Sequence, residues 1–304
     1  MGRVTVDLNL LTALEALLEE ASVTRAAQRL GLSQPALSAS LARLRRYYGD
    51  ELLRRVGNSY ELTPLAVTLK QRASAALDGV NRVFAAQPVF DPATANREFV
   101  LLGSDYGISI VGRAVSRLLA ERAPRLRLRL GQHTPQIVDH AAEVLRTIDG
   151  IVLPHGFLSD LPSTDLYEDR WMVVAASDNP RTVDGITMAD LAELPWALVY
   201  HGPTSYAPAA RQLQMLGVEP RVQVVIESFY ALPEVIAGTD RISLVQARLA
   251  ERITARGDVR VLPCPFDAVP LVQAVWWHPM NELDPAHAWL RDLLVEACST
   301  LPPV

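Results

Sequence analysis

The chain has 304 residues, a mass of 33.4 kDa, a formal net charge of -5 and a pI near 5.7. That length exceeds one compact domain and predicts two or three. With 49% hydrophobic and 21% charged residues, it is neither disordered nor collagen-like. Taken for the whole chain, the acidic balance argues against nucleic acid as a partner.

The charge is unevenly spread. Residues 1–90 carry 11 cations and 8 acids, net +3, and residues 91–304 carry 18 cations and 26 acids, net -8. Lys70 is the only lysine, so 28 of the 29 cations are arginine. Two cysteines, Cys264 and Cys298, with no CxxC and no histidine at metal spacing, predict neither a disulfide framework nor a zinc or other metal site, and fit a reducing cytoplasm. Asp7 and Glu15 interrupt the pattern of a signal peptide, and no uncharged apolar run reaches the ~18 residues of a membrane span.

Residues 7–20 predict an amphipathic helix, with Asp7 as cap and Leu8, Leu11, Leu14, Leu17 and Leu18 at helical spacing. Residues 23–31 predict a second helix, ended by Gly31. Residues 33–48 predict a third, with Ser33 as cap, Pro35 in the first turn, and Leu37, Leu41, Leu44 and Tyr48 on one face. The opposite face carries Gln34, Ser38, Ala39, Ala42 and Arg46, which are short or hydrogen-bonding and suit close approach to another surface. Two short helices joined at a glycine form a helix-turn-helix, whose second helix enters the major groove. Across 25–55, seven arginines face only Asp50 and Glu51, a local +5 suited to phosphate. Residues 52–56 and 60–62 predict a hairpin about Gly57-Asn58-Ser59, a wing presenting Arg54 and Arg55 to the DNA backbone or minor groove.

Thr63 and Pro64 then open a helix running to about Ala86. Leu69, Ala73, Ala76, Leu77, Val80, Val83 and Phe84 make a near-heptad seam. About 22 residues at ~1.5 Å each give a rod of ~33 Å with little of its own domain to pack on, which predicts dimerisation through a coiled coil.

Asp7-Leu8-Asn9-Leu10-Leu11, Thr24-x-Ala26-Ala27-x-x-Leu30, Leu32-Ser33-Gln34-Pro35-Ala36-Leu37-Ser38 and Leu62-Thr63-Pro64 together resemble the N-terminal region of LysR-type transcriptional regulators. The opening DLNLL, the RLR after the third helix and the ELTPLA end are similar to the subgroup containing the nodulation regulators. Ala39 and Ser40 depart from the family pattern, which commonly has Arg and Gln there, so base reading is assigned to Gln34, Ser38 and the wing. The expected DNA-contacting residues are Thr24, Arg25, Ser33, Gln34, Pro35, Ser38, Arg43, Arg46, Arg54 and Arg55. The resemblance implies a homodimer or homotetramer on double-stranded promoter DNA with a two-fold repeat, and allows RNA polymerase as a further partner.

Prolines 88 and 92 mark a linker at 87–96. Strands are then predicted over 97–103, 125–131, 148–153, 170–176, 196–200, 222–226, 242–245 and 271–277, with helices over 108–122, 135–147, 186–194, 205–216, 229–237, 246–255 and 285–299. That alternation predicts parallel α/β sheets. The fold class is therefore α/β, with an N-terminal all-α winged helix-turn-helix, a long linker helix and a two-lobed effector domain. The expected domains are 1–63, 64–95 and 96–304. The resemblance implies a layout similar to periplasmic binding proteins, with lobe I over 96–165 and 268–304 and lobe II over 166–267.

Ligands in open α/β sheets bind beyond the carboxyl ends of strands. The effector candidates are thus Ser104, Asp105, Tyr106, Gln132, His133, Thr134, His155, His201, Ser228 and Phe229. Tyr106, Phe229 and the histidines would suit an aromatic or carboxylic ligand, although Asp105 would repel a carboxylate unless paired. No GxSxG, GxGxxG, GxxxxGK[ST] or HExxH occurs, so neither an enzyme nor a cofactor is expected. The alternative is a dimeric ligand-binding α/β protein without specific DNA affinity.

Overall fold

A computed structural model of the chain describes residues 7–56, 59–85, 90–199 and 208–304. It divides into two compact units, Met1–Gln87 and Pro88–Val304.

In the first unit, α1 (Leu8–Glu20) starts at Asp7, whose carboxylate accepts from the Asn9 amide. It buries Ala13, Leu14, Ala16, Leu17 and Leu18. Leu8, expected on that stripe, is exposed instead. The second helix, α2 (Val23–Leu30), is capped by Ser22 and closed by Gly31 at φ +65°, where glycine has no Cβ to clash. The third, α3 (Gln34–Tyr48), is capped by Ser33 and turns Leu37, Leu41 and Leu44 inward. Strands β1 (Leu53–Val56) and β2 (Ser59–Leu62) pair antiparallel, with Arg54 opposite Glu61 and Arg55 opposite Tyr60. Residues 57–58 of the expected turn lie outside the described residues.

The long helix α4 (Pro64–Ala85) begins where Thr63 Oγ1 accepts from the Ala66 amide at 3.1 Å. One expectation for it is corrected. Its first half does have a domain to pack on, because Ala66, Leu69 and Ala73 join the core made by α1 to α3. Alanines at that spacing let α4 lie close beside α1, and Lys70 Nζ meets Glu19 Oε2 at 3.2 Å across the two helices. Further along the seam, Leu77 and Val80 are half-buried and Ala76 is exposed. The side chains of Val83 and Phe84 lie outside those described.

The second unit has two lobes. The first contains β3 (Glu98–Gly103), α5 (Asp105–Arg122), β4 (Arg127–Gln132), α6 (Pro135–Asp139), α7 (Ala141–Val144), β5 (Gly150–Pro154) and β6 (Ser163–Asp169). After Arg170 the second begins, with β7 (Trp171–Ala176), α8 (Met188–Glu193), β8 (Pro195–Val199), α9 (Pro208–Met215), β9 (Arg221–Ile226), α10 (Leu232–Ile236), β10 (Ile242–Gln246), α11 (Ala250–Ile253) and β11 (Val259–Pro263). The chain then returns to the first lobe with β12 (Leu271–Trp276) and α12 (Pro285–Ser299).

The first sheet runs β4-β3-β5-β12-β6 and the second β11-β7-β10-β8-β9. Both are mixed, not parallel as the alternation predicted. β3, β4 and β5 are parallel, but β12 lies antiparallel between β5 and β6. In the second sheet β7 is antiparallel to both β10 and β11. Strands entering from the other lobe run against those wound by helices within a lobe, which breaks the parallel order. β6 belongs to the first sheet, so the chain leaves that lobe at Arg170, not at 165. The predicted helix over 135–147 is two short ones, α6 and α7, interrupted at His140.

Candidate DNA interface and effector cavity

The sequence places a polar N-terminus on α3 and the structure leaves it open. Gln34, Pro35, Ser38 and Ala39 are exposed, while Leu37 and Leu41 on the same helix are buried. Ser33 Oγ accepts from the Ala36 amide at 3.4 Å and fixes where the helix begins. Thr24 and Arg25 at the start of α2 are exposed as well. Arg25 pairs with Glu20 at 3.1 Å, Arg43 with Asp7 at 3.3 Å and Arg54 with Glu61 at 3.8 Å. These are surface pairs of small worth, which a phosphate can displace. Arg46 and Arg55 are exposed too.

Two of the seven arginines behind the local +5 serve the fold itself. Arg45 Nε donates to the Glu51 carbonyl at 2.7 Å and its Nη2 to the Leu53 carbonyl at 2.8 Å, tying α3 to the wing. Arg29 reaches both oxygens of Glu15 on α1 at 2.9 and 3.1 Å. The remaining five, Arg25, Arg43, Arg46, Arg54 and Arg55, all belong to the expected interface.

In the second unit, the carboxyl ends of β3, β4, β5, β8 and β10 converge on one cavity of about 550 Å³, its open mouth included. Ser104, Tyr106, His133 and Phe229, all expected effector residues, line it. The other walls are Pro135, Val138, Leu153, Pro154 and Phe157 from the first lobe, with Leu271 and Gln273 of β12, and Trp171, Val199 and Gln246 from the second. Among the described residues no Arg, Lys, Asp or Glu lines it. Burial pushes the His133 imidazole down to about 4 despite the opposing pull of Asp105, so that ring is neutral at pH 7.

The other expected effector residues are placed differently. Gln132 is exposed at the end of β4, and Thr134 caps α6. His155 packs edge-on against Trp276 and bonds Asp165 at 2.6 Å, outside the cavity wall. His201 lies outside the described residues, with Gly202, Thr204 and Ser205. Asp105 and Ser228 form a clasp behind the wall. Ser228 Oγ donates to Asp105 Oδ2 at 2.7 Å, and the amides of Phe229 and Tyr230 donate to the two Asp105 oxygens at 3.1 Å each. The carboxylate is therefore paired, across the lobes, with neutral donors.

A bond within the first lobe lies beside it, followed by a second one between the lobes. The Tyr106 hydroxyl bonds Asp169 at the end of β6, and burial raises both the tyrosine hydroxyl and the Asp169 carboxyl above their usual ranges. Ser109 and Tyr230 share a hydrogen bond of 2.6 Å, and Arg252 donates to the same Tyr230 oxygen at 2.6 Å. Trp171, Gln246 and Gln273 were not among the sequence candidates. Trp171 begins its strand at the crossover and Gln246 ends its own, which was the available signal.

A winged helix-turn-helix followed by a two-lobed α/β domain with a cavity at its strand ends defines a ligand-responsive transcriptional regulator. Residues 8–67 match the bacterial regulatory helix-turn-helix proteins of the lysR family, and residues 103–299 match the LysR substrate binding domain. The chain belongs to the LysR family of transcriptional regulators. It is 31% identical to nodulation protein D 2 of Rhizobium tropici over 97% of this chain and 94% of that one. It is 32% identical to nodulation protein D 3 of Rhizobium leguminosarum bv. phaseoli over 98% of each. Its structure is similar to that of PA0477 from Pseudomonas aeruginosa (TM-score 0.72, 28% identity, 95% and 96% of the two chains). It shares the fold of CbnR, solved in complex with target DNA (TM-score 0.62, 18% identity, 97% and 99% of the two chains). The acidic whole-chain balance thus misled. A basic DNA-binding front is joined to an acidic effector-binding rear, and nucleic acid is the partner of the front. Among the described residues no helix is long and apolar enough to cross a membrane.

Proposed function

We propose that this regulator, working in the cytoplasm, reads a promoter carrying a two-fold repeat by inserting α3 into the major groove. Gln34 and Ser38 meet base edges there, and Arg25, Arg43, Arg46, Arg54 and Arg55 meet phosphates. The observation that carries this is the open N-terminal face of α3, where Gln34, Pro35 and Ser38 are all exposed beside a buried Leu37. A dimer joined along the far half of α4 sets two such helices on successive turns, ~34 Å apart. An effector held by Ser104, Tyr106, His133 and Phe229 binds one arrangement of the lobes more tightly than another. That difference biases the bound state of the DNA and its use by RNA polymerase. Footprinting on the DNA upstream of the protein's own coding sequence tests the reading. A protected two-fold repeat is expected. Absence of such a site at low salt favours a ligand-binding dimer without specific DNA affinity.

A further inference from the structure

Two paired residues of the cavity wall carry an unmet donor and an unmet acceptor. Trp171 is 5% exposed and Gln246 2%, and neither Trp171 Nε1 nor Gln246 Oε1 has a hydrogen-bond partner. The two residues face each other directly in the antiparallel pairing of β7 with β10, so their side chains leave the sheet on the same side. Both line the cavity. Leaving such groups unpaired is costly, and a bound molecule can recover that cost. A single hydroxyl can accept from the indole N–H and donate to the amide oxygen at once.

The donors that would receive a ligand carboxylate are already used. Two successive amides and a serine hydroxyl make an anion-binding concavity at 228–230, and Asp105 fills it with both its oxygens. With no cation on the described wall, a charged carboxylate entering this cavity would lose its water without a counter-charge. The remaining wall is mostly aliphatic and aromatic: Val138, Leu153, Phe157, Val199 and Leu271.

We propose that Asp105 stands in for the carboxylate of a ligand, so that the cavity takes an uncharged, largely apolar molecule whose hydroxyl bridges Trp171 and Gln246. This rests on the reading of the cavity as the effector site.

Titration calorimetry on the full-length protein with two probes of matched shape, 4-phenylphenol and biphenyl-4-carboxylate, tests it. The phenol should bind and the carboxylate should be weaker by about 100-fold, the scale of an uncompensated buried charge. Trp171→Phe, which removes the N–H and keeps an aromatic ring, should weaken the phenol about 5- to 10-fold. Asp105→Ala should open the concavity, so that acetate raises its melting temperature while leaving the wild type unmoved. If that variant does not fold, the wild type and Trp171→Phe decide alone. Equal or tighter binding of the carboxylate by the wild type, or a phenol affinity indifferent to Trp171→Phe, overturns the proposal while leaving the cavity as effector site. Binding that survives Val199→Trp, which puts a bulky ring in place of a small side chain on the wall, overturns the cavity reading itself. No phenol binding at all means that water alone satisfies the pair, and also overturns the proposal.

Discussion

The Thr63 hydroxyl donates to Asp50 Oδ1 over 2.7 Å, and the Leu52 amide donates to the same oxygen at 2.6 Å. One carboxylate thus joins the end of α3 to the start of α4 and holds Leu52, fully buried, at φ +58°, a conformation that a leucine seldom takes. Asp50→Ala should cost ~1–3 kcal/mol through the donors it strands. It should also weaken DNA binding, because the wing follows directly. Asp50→Asn, which keeps the acceptor, should be milder. An unchanged melting temperature for the alanine variant would show that the corner holds itself.

Gln34 and Arg54 should fail in different ways. Gln34→Ala is expected to cost ~1–3 kcal/mol on the cognate sequence and little on unrelated DNA. Arg54→Ala should weaken all sequences alike and reduce the slope of log K against log salt by about 1. Its pair with Glu61, 3.8 Å apart on exposed side chains, is too weak for the change to unfold the wing. Fluorescence anisotropy on two duplexes over a salt series separates them. A salt slope untouched by Arg54→Ala would remove the wing from the phosphate contacts.

The two halves of α4 should likewise part company. Ala73 is buried in the core that α4 shares with α1 to α3, so Ala73→Asp should unfold the first unit. Val80, half-buried within one chain, should tolerate Val80→Asp as a fold and lose the dimer. Sedimentation paired with thermal melting reads both. A Val80→Asp protein that stays dimeric would move the interface elsewhere.

The first ninety residues were legible because each helix carries its own punctuation: Asp7, Ser33, Thr63 and Gly31 do what their types dictate. In the rear, β6 (Ser163–Asp169) hid behind a run with Asp165, Glu168 and Asp169, and β11 behind Asp258, Arg260 and Pro263. Both gain their place from partners far along the chain, which periodicity does not see. The site divided in the same way. Ser104, Tyr106, His133 and Phe229 follow strand ends and were found by that rule, whereas the bond from Ser228 to Asp105 spans 123 positions. Asp105 looked like a charge that would repel a carboxylate. Its actual partners are a hydroxyl and two amides that no local pattern could assign to it.

His133 makes the second unit sensitive to mild acid. In the unfolded chain a histidine titrates near 6.5, whereas burial holds His133 at about 4 in the folded protein, with Asp105 the nearby charge that opposes the shift. Between those values the unfolded state binds the extra proton. Stability is therefore complete above about pH 6.5 and falls as the pH drops towards 4, by up to roughly 3 kcal/mol. His287, lowered by burial as well, adds to the same trend. Urea unfolding of the wild type and His133→Gln at pH 7.5 and 5 checks this. The variant should lose clearly less stability between the two, with a remainder due to His287. Equal losses in both proteins would mean that His133 meets water in the folded state.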